Sequence, residues 1–290
     1  MQACILVTND GSDASLRVLP HAARLAAALD GRLVLVRIID PDAELANIPA
    51  DEREPAIRNL RARWEGPLAA QLESRGLAGD AEVRLLAHEQ SLAEGVLAAA
   101  QEHDALLIAM HSRGAGAIRH ALLGSVALGV LSAASLPLML TGPDVLPPRT
   151  GAAPYRLVIT SDGSAASNIV VIALGSVLSL VDADVTLLHV CELRSGRPNP
   201  AGEVVATTRQ LETIRDLLPE RLHARSQVPV VPCSGHVAQD ILFHACRTGA
   251  DALALSTHGY SAMHHLLAGS TALEMLARSP FPLILTRYAV

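Results

Sequence analysis

The 290 residues are half apolar and 18% charged, with a net charge of −6, a normal soluble composition long enough for two domains. The mildly acidic balance gives no reason to expect a nucleic-acid partner, which would want a basic face. Cys4, Cys191, Cys233 and Cys246 include no C-x-x-C and no paired spacing; neither a disulfide framework nor a zinc site is expected, and a reducing, cytoplasmic setting fits.

The chain opens "MQACILVTNDGSD", with no basic n-region and with Asp10 arriving too soon for a secretory signal. Strands are expected near 3–9, 32–39, 81–87, 104–110 and 137–141, and helices near 14–29, 52–76, 91–102 and 120–134. Runs such as "CILVT" and "ALLIAM" do not alternate, which indicates strands buried on both faces of a parallel sheet. From Ala121 to Pro143 no residue is charged, about the length that spans a bilayer. A helix followed by a buried strand explains this stretch equally well, and no membrane segment is expected. "GPDVLPPRTGAAP" at 142–154, rich in Pro and Gly, reads as a linker between a domain at 1–142 and another at 154–290, the linker proper being 143–153.

The second half repeats the first. "ACILVTNDGSDAS" matches "YRLVITSDGSAAS", "RLVLVRIID" matches "DVTLLHVCE", and "DALLIAMHSRG" matches "DALALSTHGY". Second-copy strands are expected near 155–161, 184–191, 227–233, 251–257 and 282–288. The stretch matching 121–143 carries Glu274 and Arg278, which supports the helix-and-strand reading. Alternating β and α at these lengths gives two tandem doubly wound α/β domains, each a five-stranded parallel sheet with helices on both faces.

In such a sheet ligands bind beyond the carboxyl ends of the strands, where the strand order reverses. Two loops per copy leave those ends. The first is "NDGS" at 9–12 and "SDGS" at 161–164. Asp10 and Asp162 can accept from a ribose hydroxyl or an adenine amine; an Asp-Gly turn with Ser12 or Ser164 capping the next helix explains the same residues without a ligand. The second loop has Gly114 and Gly124, or Gly259 and Gly269, separated by nine residues, with Ser125 or Ser270 next and then a helix. Small residues at a helix start let phosphate oxygens approach backbone N–H groups, and the serine hydroxyl can donate to a ligand or cap the helix. There is no G-x-x-x-x-G-K-[ST] and no full dinucleotide fingerprint.

The strand-ending "DGS", then "SRG" or "THG", nine residues, and "LLGSVA" or "LLAGSTA" resemble the universal stress protein family, over nearly the whole chain as a tandem pair. The resemblance implies ATP or AMP, with or without Mg2+, between the first and fourth strand ends. It also implies domains paired through their last strands. Carried over by position, Asp10 and Asp162 would face the adenine–ribose end, and Ile38 and Val190 would line the adenine pocket. Met110 and Leu255 would add backbone or apolar contact. Gly114, Gly124 and Ser125, with Gly259, Gly269 and Ser270, would hold ribose and phosphates. The family's nucleotide-binding pattern starts this loop with glycine, where this chain has His111 and Ser256. A large side chain at 111 is expected to crowd the first site more than serine crowds the second.

Other constellations explain themselves more simply. His258, His264 and His265 invite a metal reading, but adjacent histidines point to different helix faces, and no metal is expected. Asp104 and Asp251 read as helix-to-strand turn residues. Ser12 and Ser164 lack the G-x-S-x-G elbow, and no catalytic residue is assigned. "DEREPAIRNLRARWE" reads as a solvated helix face with Trp64 turned inward. Two functions stay open: a non-catalytic, cytoplasmic stress-response regulator binding adenine nucleotide, or a nucleotide-independent interaction protein whose glycine loops are remnants. The uncharged last strands "LPLMLT" and "FPLILT" would be hazardous free edges and are expected to pair with each other; homo-oligomers are compatible with the family.

Overall fold

In the computed structural model, residues 2–113, 123–151, 154–162, 165–191, 200–257 and 269–287 are described. They fall into two compact units, Met1–Ala134 and Ser135–Val290.

In the first unit four strands, β1 (Cys4–Thr8), β2 (Arg32–Ile39), β3 (Gly79–Leu85) and β4 (Ala105–His111), lie in the order β3-β2-β1-β4, all parallel. Their apolar runs are buried on both faces: Ile5, Leu6, Val7, Leu35, Val36, Leu107 and Ile108 are inaccessible. A 3-10 turn (Ser15–Val18) leads into α1 (Leu19–Ala28). The expected single helix is interrupted here because Pro20 supplies no N–H and restarts the helix in its first turn. Next come α2 (Pro41–Glu44), α3 (Ala50–Glu73), α4 (Leu92–Glu102) and α5 (Ser125–Ala133). The chain runs outward from β1 to β2 to β3 and returns to β4. Right-handed crossovers therefore put α1 and α3 on one face of the sheet and α4 on the other, with the switch point between β1 and β4.

The second unit repeats the plan with β6 (Tyr155–Thr160), β7 (Ala183–Cys191), β8 (Ser226–Gln227), β9 (Val230–Pro232), β10 (Ala252–Ser256) and β11 (Leu283–Thr286). The order β11-β10-β6-β7 is parallel, and β8 and β9 both pair with β7. The single third strand expected at 227–233 is divided in two at 228–229, since Pro229 cannot donate to a ladder. The helices are α6 (Ala165–Ala173), α7 (Gly175–Leu180), α8 (Pro200–Arg215), α9 (Glu220–His223), α10 (Val237–Thr248) and α11 (Ser270–Arg278). Strand β5 (Leu138–Thr141) belongs to this unit and runs antiparallel to β11, with Leu140 opposite Leu283 and Leu138 opposite Leu285. The switch point lies between β6 and β10.

The Pro- and Gly-rich segment after β5 packs on the same unit. Leu146 N–H donates to Pro280 O (3.0 Å), and Arg149 Nη1 to Gly249 O (2.8 Å). No described helix is long and apolar enough to cross a membrane.

Candidate nucleotide site

Each unit presents two turns at its switch point. In the first, β1 ends in Asn9, whose N–H donates to Val36 O (2.8 Å) and whose buried side chain donates to Ser15 Oγ (2.9 Å). The Asn9 side-chain oxygen accepts the Gly11 N–H (2.9 Å), and Gly11 adopts φ +88°, a conformation that favours glycine. Asp10 is exposed and accepts from Ser12 N–H (2.9 Å) and Ser12 Oγ (2.6 Å), while Ser12 Oγ accepts from Ser15 N–H (3.2 Å). In the first copy the turn forms as read and Ser12 Oγ takes one N–H at the helix start, although the N-cap itself is Ala14, which offers no side-chain cap; the Asp10 carboxylate stays at the surface. In the second unit Asp162 is likewise exposed, next to buried Ser161; Gly163 and Ser164 lie outside the described residues.

The second pair of turns follows β4 and β10. Gly124 N–H donates to Ser112 O (2.7 Å), and Gly269 N–H to Thr257 O (2.6 Å). In both copies the glycine itself is the N-cap, extended at φ −72°, ψ 160° and φ −64°, ψ 157°. Neither N-cap residue offers a side-chain cap. Of the two readings of Ser125 and Ser270, a ligand donor or a cap, the N-cap position falls to the glycine, and both serines are exposed residues of the first helical turn. Among the described residues no side chain accepts the first backbone N–H groups of α5 and α11, the arrangement that receives an anion. Gly114, Gly259, His258, His264 and His265 lie outside the described residues.

Remaining positions separate the copies. Ile38 is half-buried against α4, where a Cβ at Gly95 would come within 2.9 Å of its Cγ2; Val190 is half-buried too. Met110 and Leu255 are buried. His111 is 9% exposed. Burial, helped by the nearby Arg17 and Arg113 cations and opposed by Asp10, pushes its pKa from 6.5 down to about 4. A neutral imidazole therefore sits beside Asp10 at the first switch point, where the second unit has the small, half-buried Ser256.

Two features escaped sequence reading. Arg37, one residue before Ile38, is buried with its guanidinium carbon 3.6 Å from the Trp64 ring centroid. Its signal was a lone charge inside the apolar run "LVLVRII". Asp251 is buried rather than a plain turn residue: its carboxylate accepts Arg156 N–H (2.8 Å), and Arg149 Nε lies 3.8 Å away. Among the described residues no His, Cys, Asp or Glu group has the makings of a metal site.

The model of the universal stress protein family matches residues 3–142 and 155–287. A universal stress protein of Thermus aquaticus, described by its place in the QAH/OAS sulfhydrylase 3' region, is 32% identical over 136 residues, 47% of this chain and 96% of its own. Among solved structures, a universal stress protein of Archaeoglobus fulgidus superposes with a TM-score of 0.68 at 20% identity, covering 99% of this chain and 98% of that one. A functionally unknown protein of Pseudomonas aeruginosa gives 0.56 at 16% identity, covering 99% and 92%. At these identities the two structures establish the shared fold.

Proposed function

The chain belongs to the universal stress protein family, and from that premise we propose that it is a non-catalytic regulator that binds adenine nucleotide in its second domain. The observation that carries this reading is the uncapped N-terminus of α11. Gly269 ties the helix start to Thr257 O and, having no side chain, cannot cap the first-turn N–H groups itself; no other described side chain caps them. ATP or AMP fits such a start, because phosphate oxygens can take those N–H groups and the helix dipole favours their charge. Exposed Asp162 and half-buried Val190 stand at neighbouring strand ends, suited to a ribose hydroxyl and an adenine face.

The first domain fits a nucleotide less well. It keeps the glycine-capped α5, but buried His111 stands beside Asp10 where the second domain has Ser256. A lost contact or partial clash is worth on the order of 1–2 kcal/mol, a factor of roughly 5 to 30 in affinity. His111→Gly should therefore tighten ATP binding at the first site. Calorimetric titration of the variant in the Gly269→Val background reads this directly, and no gain would show that the imidazole is not the obstacle. The reading contains no turnover; steady ATP hydrolysis near 10 per second would contradict it.

A further inference from the structure

Arg37 is the only charged residue from Leu33 to Ile39, in the middle of a buried strand. It is 7% exposed. Its guanidinium lies flat enough on the Trp64 indole to bring Cζ within 3.6 Å of the ring centroid. Its other neighbour is the Asp10–Gly11 turn: a Cβ built on Gly11 would fall 2.0 Å from Nη1, so the guanidinium fills the space a side chain there would need. Arg37 Nε and Nη1 and the indole Nε1 of Trp64 are all buried with no acceptor among the described residues.

Buried donors are nearly always paired, and a buried guanidinium that meets no carboxylate is costlier than a neutral donor. The second unit shows what the same position does when its needs are met. There His189 replaces Arg37, and its Nδ1 lies 2.8 Å from the Ser161 carbonyl oxygen, the backbone just before Asp162. The first unit has a larger, permanently charged group and no such acceptor among the described residues. Three donors and one positive charge ask for a negatively charged acceptor with several lone pairs.

We propose that Arg37 and Trp64 form a binding site for a tetrahedral oxyanion of the phosphate class, at the edge of the Asp10–Gly11 turn. The turn above is exposed and Trp64 is half-buried, so the two elements that cover the guanidinium are the ones that border solvent, and an ion enters by displacing their edges. Asp10 and Glu44 act on Arg37 from a distance as negative charges, and Arg63 as a positive one. The anion meets a partly compensated field, and a dissociation constant of about 1 mM is expected. The site is separate from the glycine loop of the second domain and does not depend on nucleotide binding there.

Trp64 is the only tryptophan of the chain, so its emission reports this site alone. Titrating the full chain with inorganic phosphate, against chloride at matched ionic strength, should give a saturable change in emission with phosphate only. Arg37→Gln should weaken the response at least about tenfold, one lost charge-assisted contact, and Gly269→Val should leave it unchanged. If Arg37→Gln does not fold, Trp64→Phe keeps the ring and removes the indole N–H, and calorimetry with phosphate should show binding weakened several-fold. AMP and adenosine identify the source of the oxyanion. AMP competing with phosphate assigns the site to a nucleotide's phosphate, and AMP binding without competition assigns it to the free ion; both uphold an oxyanion site. Adenosine displacing phosphate, a response matched by chloride, or an unchanged response in Arg37→Gln would overturn the proposal.

Discussion

His111 gives the clearest residue-level expectation. Its pKa is depressed from 6.5 to about 4, first by burial, so the folded state favours the neutral ring. The stability this contributes is fully present above pH 6.5. It is lost as pH falls toward 4, because the unfolded chain takes up the proton first. The effect is on the order of 2–3 kcal/mol. Urea unfolding at pH 7.5 and 5.0 should therefore show a larger acid-side loss in the wild type than in His111→Gln; equal losses would mean the ring is solvated. Position 111 was legible in sequence as a departure from a glycine, since the family that the loop resembles has glycine there. Arg37 was not, because its partner Trp64 lies on α3, and only the fold brings that helix over β2. Ser125 and Ser270 left a cap reading open for a local reason. A serine after a glycine resembles a cap, yet the extended glycine already fills the cap position and hands its N–H to the preceding loop.

Among elements, α4 is the best specified. Ser91 Oγ accepts the Glu94 N–H (3.2 Å), and the Glu94 carboxylate accepts the Ser91 N–H (2.8 Å), a reciprocal capping box. Ser91→Ala should cost about 1 kcal/mol, read as a shift of the urea midpoint, and no shift would show the cap to be replaced by water. Strands β5 and β11 were legible as uncharged edges, and they are antiparallel neighbours in the second unit, with Leu138 and Leu283 buried. Leu138→Lys together with Leu283→Lys puts two unpaired ammonium groups there, at a cost of several kcal/mol. The double variant should unfold that unit, as followed by circular dichroism, and an unchanged melting temperature would contradict the buried pairing. The elements that sequence reading misplaced contain proline. Pro20 splits the first helix, and Pro229 divides the third strand of the second copy.

At the scale of the whole chain, two copies of one α/β plan start the helix after the fourth strand in the same way and differ in side chains near that point. The glycine N-caps of α5 and α11 agree closely, whereas His111 and Arg37 of the first copy stand where the second has Ser256 and His189. The repeat made the plan readable from sequence, since each strand and turn could be checked against its counterpart. The differences acquire meaning only through burial: a histidine that is closed in, and an arginine without an acceptor among the described residues. Both accord with the division of labour proposed above, with nucleotide in the second domain and a smaller anion in the first. Calorimetric titration of ATP into the full-length chain, beside Gly269→Val, tests the central claim. A Cβ at 269 would sit 3.4 Å from Thr257 O, an ordinary contact, so the fold should tolerate the variant while the valine methyls obstruct the helix start. The wild type should bind ATP with a dominant site that Gly269→Val removes; no binding by the wild type at millimolar ATP, or equal binding by the variant, would contradict the account.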